Sequence, residues 1–105
     1  MRQIEKHMAN AINAGRTWKE SNTAVNCRPL SWSNFGGVLD GERARVYLHG
    51  NLICVVYNDG RRAYSSTGWN TPTTRSRLQA LGLDCRISGG LLIDADGAPV
   101  YSGRL

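Results

Sequence analysis

Between Ala44 and Ser66 the chain switches twice from strand-like runs to tight-turn residues, and this pattern leaves little choice of fold. Ala44 to His49 alternates weakly between apolar and polar side chains, and Leu52-Ile53-Cys54-Val55-Val56-Tyr57 follows a Gly50-Asn51 break. A Gly-Asn pair between two such runs marks a β-hairpin. The second run is almost wholly apolar, which predicts an interior strand covered on both faces. Asn58-Asp59-Gly60 is a second hairpin turn, with Gly60 suited to a left-handed backbone. Arg61 to Ser66 then returns as a more polar strand nearer a sheet edge. A three-stranded meander is the frame on which the rest must be arranged.

Helices flank that frame. Ile4, Met8, Ala11 and Ile12 fall on one stripe at helical period, and Gly15 suits the position just past a helix end, so Gln3 to Ala14 is predicted helical. In Thr71 to Gly82, Thr71 fits an N-cap, Pro72 the first helical position and Gly82 the C′ position. Leu78 and Leu81, with Thr74, make its buried stripe; a helix of about three turns must be held by packing against a sheet. Thr17-Trp18 has strand character, one strand is expected near Thr23–Cys27, and an irregular loop runs through Gly37. Cys85 to Ser88 and Leu91 to Ile93 read as strands around Gly89-Gly90, and Asp94-Ala95-Asp96-Gly97 turns into a last hairpin arm at Pro99–Tyr101. The predicted class is α+β: an antiparallel sheet of about five to six strands with an N-terminal helix and a second short helix. The 105 residues fit a single domain over 1–105.

Composition narrows function by exclusion. No run approaches the ~18 apolar residues of a membrane span, and the N-terminus lacks a signal-peptide pattern, so the expected location is the cytosol. Cys27, Cys54 and Cys85 have no C-x-x-C spacing, and an odd count suits a reducing compartment and buried thiols. His7 and His49 are the two histidines, neither in a catalytic pattern. Nucleophile-elbow, P-loop and dinucleotide-binding patterns are absent, and Asp94 and Asp96 lack the other oxygen ligands of a calcium loop. The expectation is a protein that is not an enzyme and uses no cofactor or metal.

Charge suggests binding instead. The net charge is +5, and from Gly41 to Gly90 seven arginines face three carboxylates. A basic surface attracts polyanions, and arginine recognises phosphate or carboxylate in bidentate fashion. The start of the second helix offers backbone N–H groups and the hydroxyls of Thr71, Thr73 and Thr74, followed by Arg75 and Arg77. Arg61 and Arg62, with Arg43 and Arg45 one strand away, would extend this into an arginine stripe suited to a nucleic-acid backbone. Trp69 is read as a core anchor at the helix start, its alternative a platform for stacking on a base. Trp18, Trp32 and Phe35, with Tyr47, are the candidates for a protein-binding patch.

Leu48-His49-Gly50-Asn51-Leu52-Ile53 and the stretch from Gly68-Trp69-Asn70-Thr71 to Leu78-Gln79-Ala80-Leu81 resemble a group of small proteins of tailed bacteriophages. Those proteins pair an L-H-G-N-x-I-A turn with a G-W-x-T-x-T-T-x-x-R-L-N-A-L helix start. Asn22-Thr23-Ala24-Val25 resembles their upstream N-T-x-V, and the chain departs from the pattern at Cys54 and Gln79. The resemblance implies a phage accessory protein in the host cytoplasm and supplies no catalytic residues. Two functions follow as expectations. The first is a non-enzymatic factor that binds and inhibits a host complex of defence, transcription or replication. The alternative is a nucleic-acid-binding module using Arg61, Arg62, Thr73, Thr74, Arg75 and Arg77.

Overall fold

The computed structural model describes residues 2–27, 38 and 41–105. The first helix, α1, spans Gln3–Ala14, as its apolar stripe predicts, and buries Met8, Ala11 and Ile12. It ends at Gly15, whose φ of 66° is left-handed, and Arg43 reaches across to donate to the carbonyls of Ile12 and Asn13. The last-turn carbonyls thereby gain both a partner and a favourable positive charge.

Five strands follow in chain order: β1 (Trp18–Glu20), β2 (Thr23–Cys27), β3 (Glu42–Leu48), β4 (Asn51–Tyr57) and β5 (Arg62–Tyr64). They form one antiparallel sheet in the spatial order β1-β2-β3-β4-β5. In β3, Glu42, Ala44, Val46 and Leu48 are buried while the residues between them are more accessible, the period of two that a half-buried strand imposes. In β4 Ile53, Cys54, Val55 and Val56 are all buried, and both edges of the strand are paired, as its apolar run requires.

The β3–β4 turn differs from expectation by one residue. Leu48 pairs with Asn51, so the two-residue loop is His49-Gly50, with φ of 51° and 80°. A two-residue hairpin of the I′ kind needs positive φ at both central positions. Glycine takes one at no cost, and His49 is held in the other.

The second helix, α2, spans Pro72–Ala80, with the Thr71 side chain accepting from the Thr74 backbone N–H. Thr74, Leu78 and Leu81 are buried, the stripe expected of it. Beyond it β6 (Cys85–Ser88) and β7 (Leu91–Asp94) form a separate two-stranded sheet. The expected final arm at 99–101 is a single bridge between Ile93 and Pro99, because the Leu92 and Ala98 N–H groups that would extend the ladder donate to the side chains of Asn70 and Asp94 instead. This hairpin is fastened to the rest by Gln79 Nε2 donating to the Cys85 carbonyl at 2.7 Å and by Leu92 N donating to Asn70 Oδ1 at 3.1 Å. One core joins α1, α2 and both sheets, drawing in Met8, Ile12, Val25, Val46, Cys54, Leu78, Leu81 and Leu92.

Candidate functional site

The arginine stripe does not assemble. Arg77 is 3% exposed and bonds through Nη1 to Glu5 Oε2 at 2.7 Å, through Nε to Thr23 Oγ1 at 3.0 Å and through Nη2 to Asn22 Oδ1 at 3.3 Å. Glu5 is equally buried, on the core side of α1. Its burial pushes the carboxyl pKa up. Hydrogen bonds from Ser76, the Arg2 backbone and Arg77, with the Arg77 charge, outweigh that and hold it below its ordinary value. Arg77 is therefore a structural cation tying α2 to α1 and to the start of β2, with no donor left facing solvent.

The other candidates are also engaged. Arg62 donates to the Leu81 carbonyl at 2.8 Å, alongside the Tyr64 hydroxyl at 2.9 Å, and so fastens β5 to the end of α2. Arg61 pairs with Asp59 at 2.7 Å and lies 5.1 Å over the Tyr57 ring, both in solvent. Arg45 pairs with Glu42 at 2.9 Å. Arg75 is the one cation among the six named candidates whose side chain donates to no acceptor among the described residues.

The helix start is poorer in donors than its sequence implies. Pro72 has no N–H, the Thr74 N–H is taken by Thr71 Oγ1, and the Arg75 N–H bonds the Thr71 carbonyl. Thr74 is buried, its hydroxyl against that of Thr71 at 3.0 Å. Only Thr73 keeps a free hydroxyl and N–H.

The aromatic residues are also redistributed. Trp69, expected to anchor the core, is 59% exposed. The neighbouring Asn70 side chain does the anchoring by accepting from Leu92. Trp18 is half-buried, packed against the core. Trp32 and Phe35 lie outside the described residues.

What the fold gathers is a cleft of about 530 Å³ between the His49-Gly50 turn and the segment leading into α2. Leu48, His49 and Asn51 line one side; Thr67, Trp69, Thr71 and Thr73 line the other. No Lys, Arg, Asp or Glu is among its described lining residues. A hollow lined by Asn22, Thr23 and His49 adjoins it. The three segments that carry the phage resemblance thus meet around His49. Sequence alone carried no sign of this, because the segments lie 22 and 14 residues apart, and it is the β2–β3–β4 register and the packing of the segment leading into α2 that bring them together.

A second surface lies beside the cleft. The exposed large hydrophobic residues of the described chain are Trp69, Leu91 and Tyr101. Their segments are tied side by side: Trp69 N donates to Ser66 O, Ser66 N to Tyr101 O, and Val100 N to Leu92 O. The three thiols are buried and unpaired with one another, and burial pushes Cys54 up to about 12. Among the described residues no group of three or more His, Cys, Asp or Glu side chains is placed to hold a metal ion, and no helix is long and apolar enough to cross a membrane.

Together these features define a small α+β protein with a tryptophan-edged cleft, lined by no Lys, Arg, Asp or Glu among the described residues, and with exposed apolar side chains on the segments bonded beside it. The family model described as Kyanoviridae Gp96 protein matches residues 1–100, and the chain belongs to that family of phage proteins. This agrees with the tailed-phage resemblance. No curated protein and no solved structure showed significant similarity to the chain.

Proposed function

We propose that this phage protein is a non-enzymatic accessory factor that docks on a host macromolecular complex in the host cytoplasm and inhibits it. The observation that carries the reading is the clustering of Trp69, Leu91 and Tyr101 on three segments bonded side by side. Large exposed apolar residues on one face of a small domain mark an interaction surface, and tryptophan and tyrosine are enriched at the energetic centre of interfaces. The engagement of Arg62 and Arg77 within the fold weighs against the alternative, a nucleic-acid module built on the arginines.

The test is affinity capture of tagged protein from infected host lysate, one half treated with nuclease, alongside a Leu91→Ser, Tyr101→Ser double variant. One host protein recovered near equal stoichiometry in both halves, and lost in the variant, supports docking through this face. Recovery that collapses with nuclease supports the nucleic-acid alternative. Recovery unchanged in the variant removes this face from the interface.

A further inference from the structure

The cleft beside Trp69 has a chemistry of its own, beyond the docking face. Its volume of about 530 Å³ lies within the ~300–1,000 Å³ of small-ligand sites. At its edge is an indole that is 59% exposed, although burying a tryptophan is among the largest apolar gains open to a chain. Around that indole are three polar side chains, those of His49, Asn51 and Thr73, that make no hydrogen bond among the described residues. Two lining residues, His49 and Thr67, hold φ near +51° and +52°. For a β-branched threonine that is an outlier, and such backbone strain gathers at functional sites.

Charge and hydrogen bonding choose the occupant. No formally charged side chain lines the cleft among the described residues, so a ligand recognised there is neutral over the part that enters. An aliphatic or phenyl side chain of a partner would cover the amide of Asn51 and the hydroxyl of Thr73 without pairing them, and unpaired buried polar groups are costly. A flat ring with donors and acceptors along its edge satisfies both requirements. It stacks on the indole and bonds the amide, imidazole and hydroxyl.

We infer that the Trp69 cleft binds a nucleobase, stacked on the indole and read along its edge by Asn51, His49 and Thr73. The base can come from a free nucleotide or from a single strand; the recognising chemistry is the same. Base–aromatic stacking is lost on alanine substitution by roughly 5- to 150-fold in affinity. The contact owes nothing to phosphate.

The experiment is a titration of the isotope-labelled full chain followed at the tryptophan indole N–H signals. Adenosine, AMP, a ten-residue oligodeoxyadenylate and N-acetyl-phenylalanine amide are the four probes. The expected result is a shift of the Trp69 signal with adenosine and AMP at similar affinity, little changed by salt, and weakened at least fivefold in Trp69→Ala. His49→Gly, which suits the positive φ, and Thr73→Ala should each weaken the bases while leaving the fold intact. Binding by the oligonucleotide much tighter than by AMP identifies a single strand as the source; equal binding identifies a free nucleotide. No shift with any base at millimolar concentration, or phenylalanine amide binding as tightly as adenosine, overturns the inference. Trp69 belongs to both surfaces, but His49→Gly and Thr73→Ala leave the docking face unaltered and the titration contains no host protein, so failure here is distinct from failure of the docking face.

Discussion

Arg77→Ala removes the donor side of the buried pair with Glu5 and should be the most damaging single replacement among the arginines. Glu5 and Arg77 are 2% and 3% exposed, so solvent screens the pair little. After the change Glu5 keeps its bonds to Ser76 and to the Arg2 N–H but carries an uncompensated charge between two helices. Deleting one partner of such a pair costs about 3–5 kcal/mol. A domain of this size is stable by about 5–15 kcal/mol in total, so the loss is a large part of the whole. With a urea slope of about 1.5 kcal/mol/M, a 3 kcal/mol loss lowers the unfolding midpoint by about 2 M. The paired replacement Glu5→Leu, Arg77→Met removes both charges and should recover most of that, because an apolar pair can replace a buried ion pair at little cost. Arg75→Ala, with no bond to lose, should stay within about 0.5 kcal/mol. Urea unfolding of the wild type and these three variants tests the ordering. If Arg77→Ala lost less than about 1 kcal/mol, the guanidinium would not be a buried partner of Glu5, and Arg77 would return to the arginines available for phosphate.

Three further outcomes are expected. The Glu5 carboxyl is held below its ordinary 4.5, so its contribution is complete above that pH and lost as pH falls through the lower folded value; the stability gap between wild type and Glu5→Gln should narrow over that range in acid unfolding. Burial pushes all three thiols up, Cys54 to about 12, so an aromatic disulfide reagent at pH 8 should react slowly with native protein and titrate three thiols only in denaturant. Gly82 has φ of 105°, and a Cβ there would stand 3.1 Å from the Tyr64 hydroxyl, which itself bonds the Leu81 carbonyl. Gly82→Ala should cost more than about 1 kcal/mol in thermal or urea unfolding.

Local pattern was enough where local chemistry decides the outcome. The bounds of α1 follow from a stripe at helical period and a glycine after it, and those of α2 from Thr71, Pro72 and Gly82. The β3–β4 turn was off by one residue because sequence weighs Asn51 as the turn former, whereas the sheet register pairs Asn51 with Leu48 and forces His49 into a left-handed backbone. Burial of Arg77 depends on a partner 72 residues away. A signal for it does exist in the chain: Glu5 stands on the same α1 face as Met8 and Ile12, and Arg77 beside Leu78 and one turn after Thr74. Opposite charges on the apolar stripes of two helices are better explained by each other than by solvent. Trp69 had no such signal, because whether the indole or the Asn70 amide anchors the turn depends on where β7 arrives.

The excess of arginine therefore has two consequences that sequence cannot separate. Of the seven arginines from 41 to 90, Arg43 and Arg62 bond carbonyls, and Arg45, Arg61 and Arg77 bond carboxylates. Bonds to carbonyls consume donors without cancelling charge, so the positive field of the molecule survives while the forks needed for bidentate contacts do not. A polyanion would still be drawn toward such a surface, steeply dependent on salt, yet be held there by little that is specific. Specific recognition would then fall to other accessible groups, and among the described residues the strongest sets are the indole of Trp69 with His49, Asn51 and Thr73 on one side, and Leu91 with Tyr101 on the other. Neither set contains a Lys, Arg, Asp or Glu side chain. Binding that proved strongly salt-dependent and indifferent to all of these residues would point to Arg75 and Arg86, the arginines of this stretch whose side chains make no bond inside the described chain.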